Sequence, residues 1–253
     1  MITNRYHFEI IDSTNKKAKE LALEGCSHGT LVTADAQEAG IGRRGREWAS
    51  EKGTGIYMSM VLRPEIDTEH AHMLTLAAAM AVQQALAKVT VCDGNLEFKI
   101  KWPNDIVINK KKICGILTEL SLKGREVDFV IVGIGINVNN KSFPEEIAQT
   151  ASSLYLEMGQ QVDKELLISE TWKQFAVYYE QFLQTEDISL FKEEYEAALI
   201  NKGKQVKVLD PLGEYMGIAK GITDIGELIV DTEGEEKYVS SGEVSVRGIY
   251  GYV

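Results

Sequence analysis

Apolar residues follow two spacings along this chain, and the alternation between them outlines its elements. Short apolar runs predict strands at Tyr6 to Ile11, Thr30 to Asp35 and Ile56 to Leu62. Between the first two, Asp12-Ser13-Thr14-Asn15 offers helix-capping side chains, and the helix runs to about Glu24 before Gly25 stops it. Thr68 then caps a long alanine-rich helix to about Lys88. Its small residues Ala77, Ala78, Ala79, Ala81 and Ala85 let it lie close against a sheet. Four more strands follow at Leu96 to Trp102, Ile106 to Ile108, Ile113 to Ser121 and Glu126 to Val138, with turns at Asn109-Lys110-Lys111-Lys112 and Lys123-Gly124-Arg125. Such a meander pairs antiparallel. With helices before and after it, the fold class is α+β, a mixed, largely antiparallel sheet with flanking helices.

The period fades from Asn139 to about Thr150, which suggests a mobile loop. It returns as a helical stripe through Ile168, Trp172, Phe175, Tyr179 and Phe182, and a shorter helix spans about Ile188 to Leu199. Beyond Asn201 the texture changes. Short strands at Val206 to Leu209, Tyr215 to Ile222, Leu228 to Asp231 and Lys237 to Ser240 are divided by turns at Pro211-Leu212-Gly213 and Ile225-Gly226. That pattern predicts a small β-barrel and a division into residues 1–200 and 201–253.

Charge narrows the function. A net charge of −11 over 253 residues argues against a general nucleic-acid binder, which needs a cationic face. The positive charge is local instead: Arg43, Arg44 and Arg46 form one cluster, and Lys99, Lys101, Lys110, Lys111 and Lys112 another. Such clusters on an acidic body suit a small anion. Cys26, Cys92 and Cys114 have no metal-ligand spacing and read as free thiols. With neither a signal peptide nor an apolar run of about 20 residues, a cytoplasmic protein is expected, with no membrane partner.

Four stretches carry candidate chemistry. Gln37 to Trp48 holds three glycines and three arginines between two strands, a loop able to wrap a small anion or to lie as a solvated basic loop. It is neither a P-loop nor a dinucleotide fingerprint. In Lys101-Trp102-Pro103-Asn104-Asp105 the proline ends a strand and turns out an Asn-Asp pair. Lys112 opens the apolar strand Ile113-Cys114-Gly115-Ile116-Leu117-Thr118-Glu119, and Gly133-Ile134-Gly135-Ile136-Asn137 places glycines inside a strand, where a ligand or another backbone must come close. His70 and His72, two apart on a helix, diverge and form no metal pair.

Together with Ser13-Thr14-Asn15 and Gln37, these motifs closely resemble the biotin–protein ligases over the whole chain, the terminal β segment resembling that family's SH3-like domain. Ahead of the first strand there is no winged helix-turn-helix of the kind some members carry, so the ligase-only form is expected. The resemblance implies two steps. The biotin carboxylate attacks the α-phosphate of Mg2+-ATP to give biotinyl-5′-AMP, and a lysine of a biotin carboxyl carrier domain then attacks that anhydride.

Residue by residue, the resemblance implies that Ser13, Thr14, Asn15 and Gln37 bind the biotin head, that Gly40, Ile41 and Gly42 approach through backbone, and that Gly115 and Gly133 line the slot. Arg43 and Lys112 would neutralise the meeting of carboxylate and phosphate, and Asp105 would orient or deprotonate the incoming lysine. Arg44, Arg46 and Trp48 would face the nucleotide, with Lys101, Asn104 and Asn137 on phosphate, ribose or adenine. Magnesium ligands are not assignable. Ile41 stands where many relatives carry a basic residue. A homodimer through the sheet is plausible by the same resemblance. The rivals are a lipoate–protein ligase, which shares the fold and the adenylate chemistry, and a non-catalytic RNA-binding module.

Overall fold

Alternation along the central strands sets the layers. In the computed structural model, which describes residues 2–90, 96–210, 213–241, 245–248 and 252–253, seven strands form one sheet. They are β1 (Asn4–Ile11), β2 (Thr30–Gln37), β3 (Gly55–Leu62), β4 (Lys99–Lys101), β5 (Asp105–Ile108), β6 (Lys111–Lys123) and β7 (Glu126–Asn137). Their order is β1-β2-β3-β7-β6-β5-β4. Helix α1 (Thr14–Leu23) connects the parallel pair β1 and β2, and every other neighbouring pair is antiparallel. The other helices are α2 (Leu74–Val89), α3 (Leu154–Met158), α4 (Lys164–Thr185) and α5 (Lys192–Ala198).

On β3, Ile56, Met58, Met60 and Leu62 enter the main core with α2 and α4, and on β7 Val130, Val132, Ile134 and Ile136 do the same. A side chain of this size, fully buried, stabilises by about 1.5–3 kcal/mol. Ala77, Ala78, Ala79, Ala81 and Ala85 of α2 are completely buried there, and α4 delivers its expected stripe. The opposite face of the sheet is divided. Val32, Val61, Phe129 and Ile131 pack under Ala18, Leu21 and Ala22 of α1. Beside that patch, register aligns Ser59 with Gly133 and Leu117, and Tyr57 with Gly135 and Gly115. Four of those six positions carry a glycine or a serine. The result is a groove poor in side chains at the centre of an otherwise covered sheet.

A second sheet, of β8 (Gln205–Leu209), β9 (Tyr215–Ile222), β10 (Leu228–Thr232), β11 (Glu235–Val239) and β12 (Ser245–Gly248), runs β11-β10-β9-β8-β12 and is wholly antiparallel. Val206, Val208, Leu228 and Val230 continue the main core, so the two sheets share apolar packing. The turn after β9 is clamped. Trp102 Nε1 donates to the Gly226 carbonyl at 3.0 Å, the His72 ring lies 3.1 Å from the Ile225 carbonyl, and Ile188 N–H donates to Asp224 at 2.9 Å.

Several expected elements shift. The strand foreseen from Leu96 shrinks to β4. The long second helix begins as a 3-10 segment, Thr68–Met73, capped by Asp67, whose carboxylate accepts from Glu69 N–H. Asp67, not Thr68, is therefore the cap. Only Lys192–Ala198 of the Ile188 to Leu199 segment is helical. Helix α3 and strand β12 lack a period long enough to read. Cys92 and the Pro211-Leu212 part of an expected turn lie outside the described residues.

Candidate active site

The site begins at a helix whose N-cap residue does not cap it. Ser13 occupies the N-cap of α1, yet its own side chain makes no capping hydrogen bond. Gln37, at the end of β2, supplies the missing acceptor: its Oε1 takes the Thr14 N–H at 2.8 Å and the Thr14 hydroxyl at 3.1 Å. Freed from capping, the side chains of Thr14 and Asn15 turn onto the sheet. Asn15 donates to Glu119 Oε2 at 2.6 Å, and Ser59 Oγ lies 2.8 Å from Thr14 Oγ1 and 2.6 Å from Asn15 Oδ1. The simple capping role that the sequence offers for these residues is not the one they play.

The glycines of the groove make this close approach possible. A Cβ at Gly133 would overlap the Asn15 amide. One at Gly135 would lie 2.6 Å from Trp48 Nε1, and one at Gly115 would lie 2.9 Å from the Trp48 ring and 3.0 Å from Lys112 Nζ. The Trp48 indole thus lies across Gly115 and Gly135. Its Nε1 is buried, with no hydrogen-bond partner among the described residues. What remains is a slot of about 50 Å³ lined by Ser13, Thr14, Asn15, Gln37, Gly115 and Gly133 among others, room for a few water molecules at about 10–15 Å³ each.

The arginine loop closes over this slot as a small hairpin. Ile41 pairs with Glu47, Gly42 N–H donates to Arg46 O at 2.7 Å, and Trp48 N–H donates to Gly40 O at 2.8 Å. Gly42 therefore uses its N–H inside the loop rather than leaving it open. Only Gly45 (φ 70°) and its neighbour Arg44 (φ 59°) adopt the left-handed conformation. Gly40 lines neither cavity; a Cβ there would lie 2.7 Å from Trp48 O, so it is a packing residue. Ile41 lines the slot but leaves 56% of its surface exposed.

Past the slot the space widens to a cavity of about 570 Å³, a volume suited to a nucleotide-sized ligand. Arg44, Arg46, Lys101, Asn104, Asp105 and Asn137 all line it. Gly42, Arg43, Trp48, Asn104 and Lys112 line both spaces and mark their junction. Asn104 is placed by two bonds to Ile116, one through its side chain at 3.1 Å and one through its carbonyl at 2.9 Å, and it accepts from Arg43 Nη1 at 2.9 Å. Arg43 also reaches the Ser241 carbonyl of the second sheet's domain. Lys112 belongs to β6 rather than to the turn, which uses the positive-φ pair Asn109 and Lys110. Its backbone is held on its other side by Thr150 and Ser152, at 2.8 and 2.9 Å. That anchors the end of the segment expected to be a mobile loop, and Phe143, Ile147 and Ala151 from this region form a cavity wall.

Electrostatics concentrate on Asp105. Burial alone would push its carboxyl up. The Lys112 ammonium at 2.6 Å, the nearby Lys101 charge and a hydrogen bond from Tyr252 hold it below the usual carboxylate range. Lys101 is 6% exposed, and burial, only partly opposed by Asp105, brings its ammonium down to about 8. Burial likewise lowers the Arg43 guanidinium and raises the Cys114 thiol, which makes Cys114 a core residue and not a nucleophile. No group of three His, Cys, Asp or Glu residues suited to a metal occurs among the described residues. Sequence reasoning missed Ser59, Glu119, Arg247 and Tyr252. The first two are ordinary strand residues by pattern, and the last two lie on or just past the final strand, β12, where no motif marks them.

Comparison with known proteins gives this geometry a context. Residues 7–137 match the Biotin/lipoate A/B protein ligase family, and residues 203–247 match the Biotin protein ligase C terminal domain. The bifunctional ligase/repressor BirA of Bacillus spizizenii is 38% identical over 94% of this chain and 72% of its own length. The biotin–[acetyl-CoA-carboxylase] ligase of Paracoccus denitrificans is 34% identical, over 94% of this chain and 98% of its own. The structure of the Aquifex aeolicus biotin protein ligase in complex with biotin and ATP superposes with a TM-score of 0.84 at 33% identity, covering 98% of this chain and 100% of that one. A narrow polar slot joined to a cationic cavity, both family domains and near-complete coverage by ligases at this identity together show that the chain belongs to the biotin–protein ligase family.

Proposed function

We propose that this chain is an ATP-dependent biotin–protein ligase that forms biotinyl-5′-AMP and passes biotin to a lysine of a biotin carboxyl carrier domain. The observation that carries this reading is the junction. One narrow polar slot and one cationic cavity meet at Arg43, Trp48, Asn104 and Lys112, where a carboxylate from one side can reach a phosphate from the other. Adenylation brings like charges together, and preorganised cations lower that barrier.

Thr14 and Gln37, fixed by their mutual bonds, and Asn15, fixed by Ser59 and Glu119, receive the ureido head. The Trp48 indole leaves Gly115 and Gly135 as the ring system enters, because the slot with the indole in place is too small. Arg44, Arg46, Lys101, Asn104 and Asn137 hold the nucleotide, and Asp105 takes a proton from the acceptor amine. Magnesium arrives with ATP. The site offers too few carboxylates for a protein-built cage, which fits an ion held mainly by phosphate oxygens and water. The reaction is cytoplasmic, in keeping with the free Cys26 and Cys114 thiols. No described helix is long and apolar enough to cross a membrane. β1, at the sheet edge with Tyr6 and Ile10 exposed, is where a second copy would pair, and residues 201–253 act as a separate unit that completes the cavity.

The test is acid-dependent ATP–pyrophosphate exchange. Biotin should support exchange and lipoate should not, and label should then pass to a carrier domain. Exchange with lipoate alone would reverse the assignment, and a salt-dependent gel shift without exchange would favour the RNA-binding module.

A further inference from the structure

We propose that Tyr252 is a positioning residue for the transfer step, set against the catalytic carboxylate by the C-terminal segment. The proposal rests on the ligase reading above. The Tyr252 hydroxyl donates to Asp105 Oδ2, while Asp105 Oδ1 pairs with Lys112 Nζ at 2.6 Å. The same tyrosine covers a second site residue, with Lys101 Nζ 3.8 Å from its ring centroid. Asp105 is 7% exposed. Two charged groups of the pocket, Asp105 and Lys101, therefore meet on one aromatic residue 147 positions away from Asp105 along the chain.

Volume separates a wall from a plug. Tyr252 is counted among the lining residues of a cavity that still measures about 570 Å³, so the ring leaves room for a nucleotide. Its place is at the side of the cavity.

The transfer chemistry explains why a second donor on Asp105 matters. The acceptor amine attacks the acyl carbon of the anhydride, the bond from that carbon to the phosphate oxygen breaks, and AMP leaves with the electron pair. The amine proton passes to Asp105, which must be ionised and aimed at the nitrogen. A carboxylate held only by an ion pair at Oδ1 can rotate about its Cβ–Cγ bond, and a hydroxyl donor at Oδ2 fixes its plane. Lys112 also faces the junction of slot and cavity, whereas Tyr252 commits its hydroxyl to Asp105. Its ring also packs on the Lys101 ammonium, an arrangement favourable to a buried cation. The charged and titratable groups facing Asp105 are Lys112 from β6, Lys101 from β4, Arg43 from the loop, the buried Cys114 thiol and Tyr252.

The experiment separates the two half-reactions in the full-length protein. Pyrophosphate exchange reports adenylation. Single-turnover transfer from preformed biotinyl-5′-AMP to a carrier domain, followed across pH, reports the second step. Y252F keeps the ring and loses only the hydroxyl. It should leave exchange within about twofold of wild type and slow transfer by roughly tenfold or more, as expected for losing one hydrogen bond to a charged group. The acidic limb of the transfer profile should also move to higher pH, because a donor that favours the ionised carboxyl has gone. Y252A should in addition raise the KM for ATP, because Lys101 loses its aromatic cover.

Transfer by Y252F within twofold of wild type and with an unmoved pH profile overturns the proposal. So does an equal loss in both half-reactions, which marks a structural role, or a gain in ATP affinity for Y252A, which marks a plug. Wild-type protein that fails to exchange pyrophosphate with biotin overturns the ligase reading itself, and this proposal with it.

Discussion

The slot and the cavity are neighbours built on opposite principles. The slot is polar, and its side chains are bonded into one network. Thr14, Asn15, Gln37, Ser59 and Glu119 bond to one another across α1, β2, β3 and β6, over a glycine floor on β6 and β7. Its shape is set by backbone, and a substitution there acts through volume. The cavity is charged and assembled. Its wall draws on the arginine loop, the segment from Lys101 to Asp105, Lys112, the Phe143–Ala151 region and Val246, Arg247 and Tyr252. Its groups are held by opposing charges and by contacts with the second sheet, so a substitution there acts through electrostatics. The difference teaches that a few neighbouring strands and one helix can shape a narrow polar cleft from backbone, whereas a cluster of cations needs a convergence that no single element can present.

The largest expected effect tests the junction. Lys112→Ala should slow pyrophosphate exchange about 10²–10³-fold, the scale of removing a preorganised charge at a transition state. Biotin binding by titration should change far less, because the like-charge encounter does not exist in the binary complex. Equal losses in both would erase the distinction between slot and cavity.

Gly133→Ala addresses the slot. The new methyl collides with the Asn15 amide, and overpacking of this type costs about 1–3 kcal/mol. The KM for biotin should rise by roughly tenfold while calorimetric ATP binding stays as in wild type. A matching loss of ATP affinity would mean that the two spaces are one site mechanically.

A pH titration sharpens the charged side. Lys101 is held down to about 8 by burial, so its charge disappears as pH rises through that value, and attraction for phosphate goes with it. Bound phosphate pulls the proton back, so ATP binding near pH 8.5 should take up protons. The KM for ATP should climb several-fold, roughly, from pH 7 to 9, and Lys101→Arg should flatten that rise because a guanidinium stays charged throughout. The biotin KM should show no such limb.

The smallest effect concerns the clamp. Trp102→Phe removes the bond from Nε1 to the Gly226 carbonyl and leaves that carbonyl unpaired, at a cost of about 1–3 kcal/mol in thermal or denaturant unfolding. It should also raise the KM for ATP with little change for biotin, since only the cavity depends on the second sheet.

What the sequence determined alone was the local and the periodic. Alternation in β3 and β7, the alanine face of α2 and the aromatic stripe of α4 all follow from which side of each element must leave water, and they place the glycines of β6 and β7 on the open face. The motifs from Gln37 to Trp48 and from Lys101 to Asp105 could be read because glycine, proline and clustered cations are unusual inside strands and turns. Tertiary structure decided the partners. Ser13, Thr14 and Asn15 look like a helix cap until Gln37, 23 residues away, supplies the acceptor that frees them. Lys112 looks like a turn residue until the Thr150–Ser152 backbone pairs beside it and Asp105 meets its ammonium. Tyr252 carries no signal at all, since a tyrosine near the end of a barrel segment becomes part of the site only when the second sheet docks. A chemical group's role here depends on what stands within about 3 Å of it, and sequence separation conceals that distance.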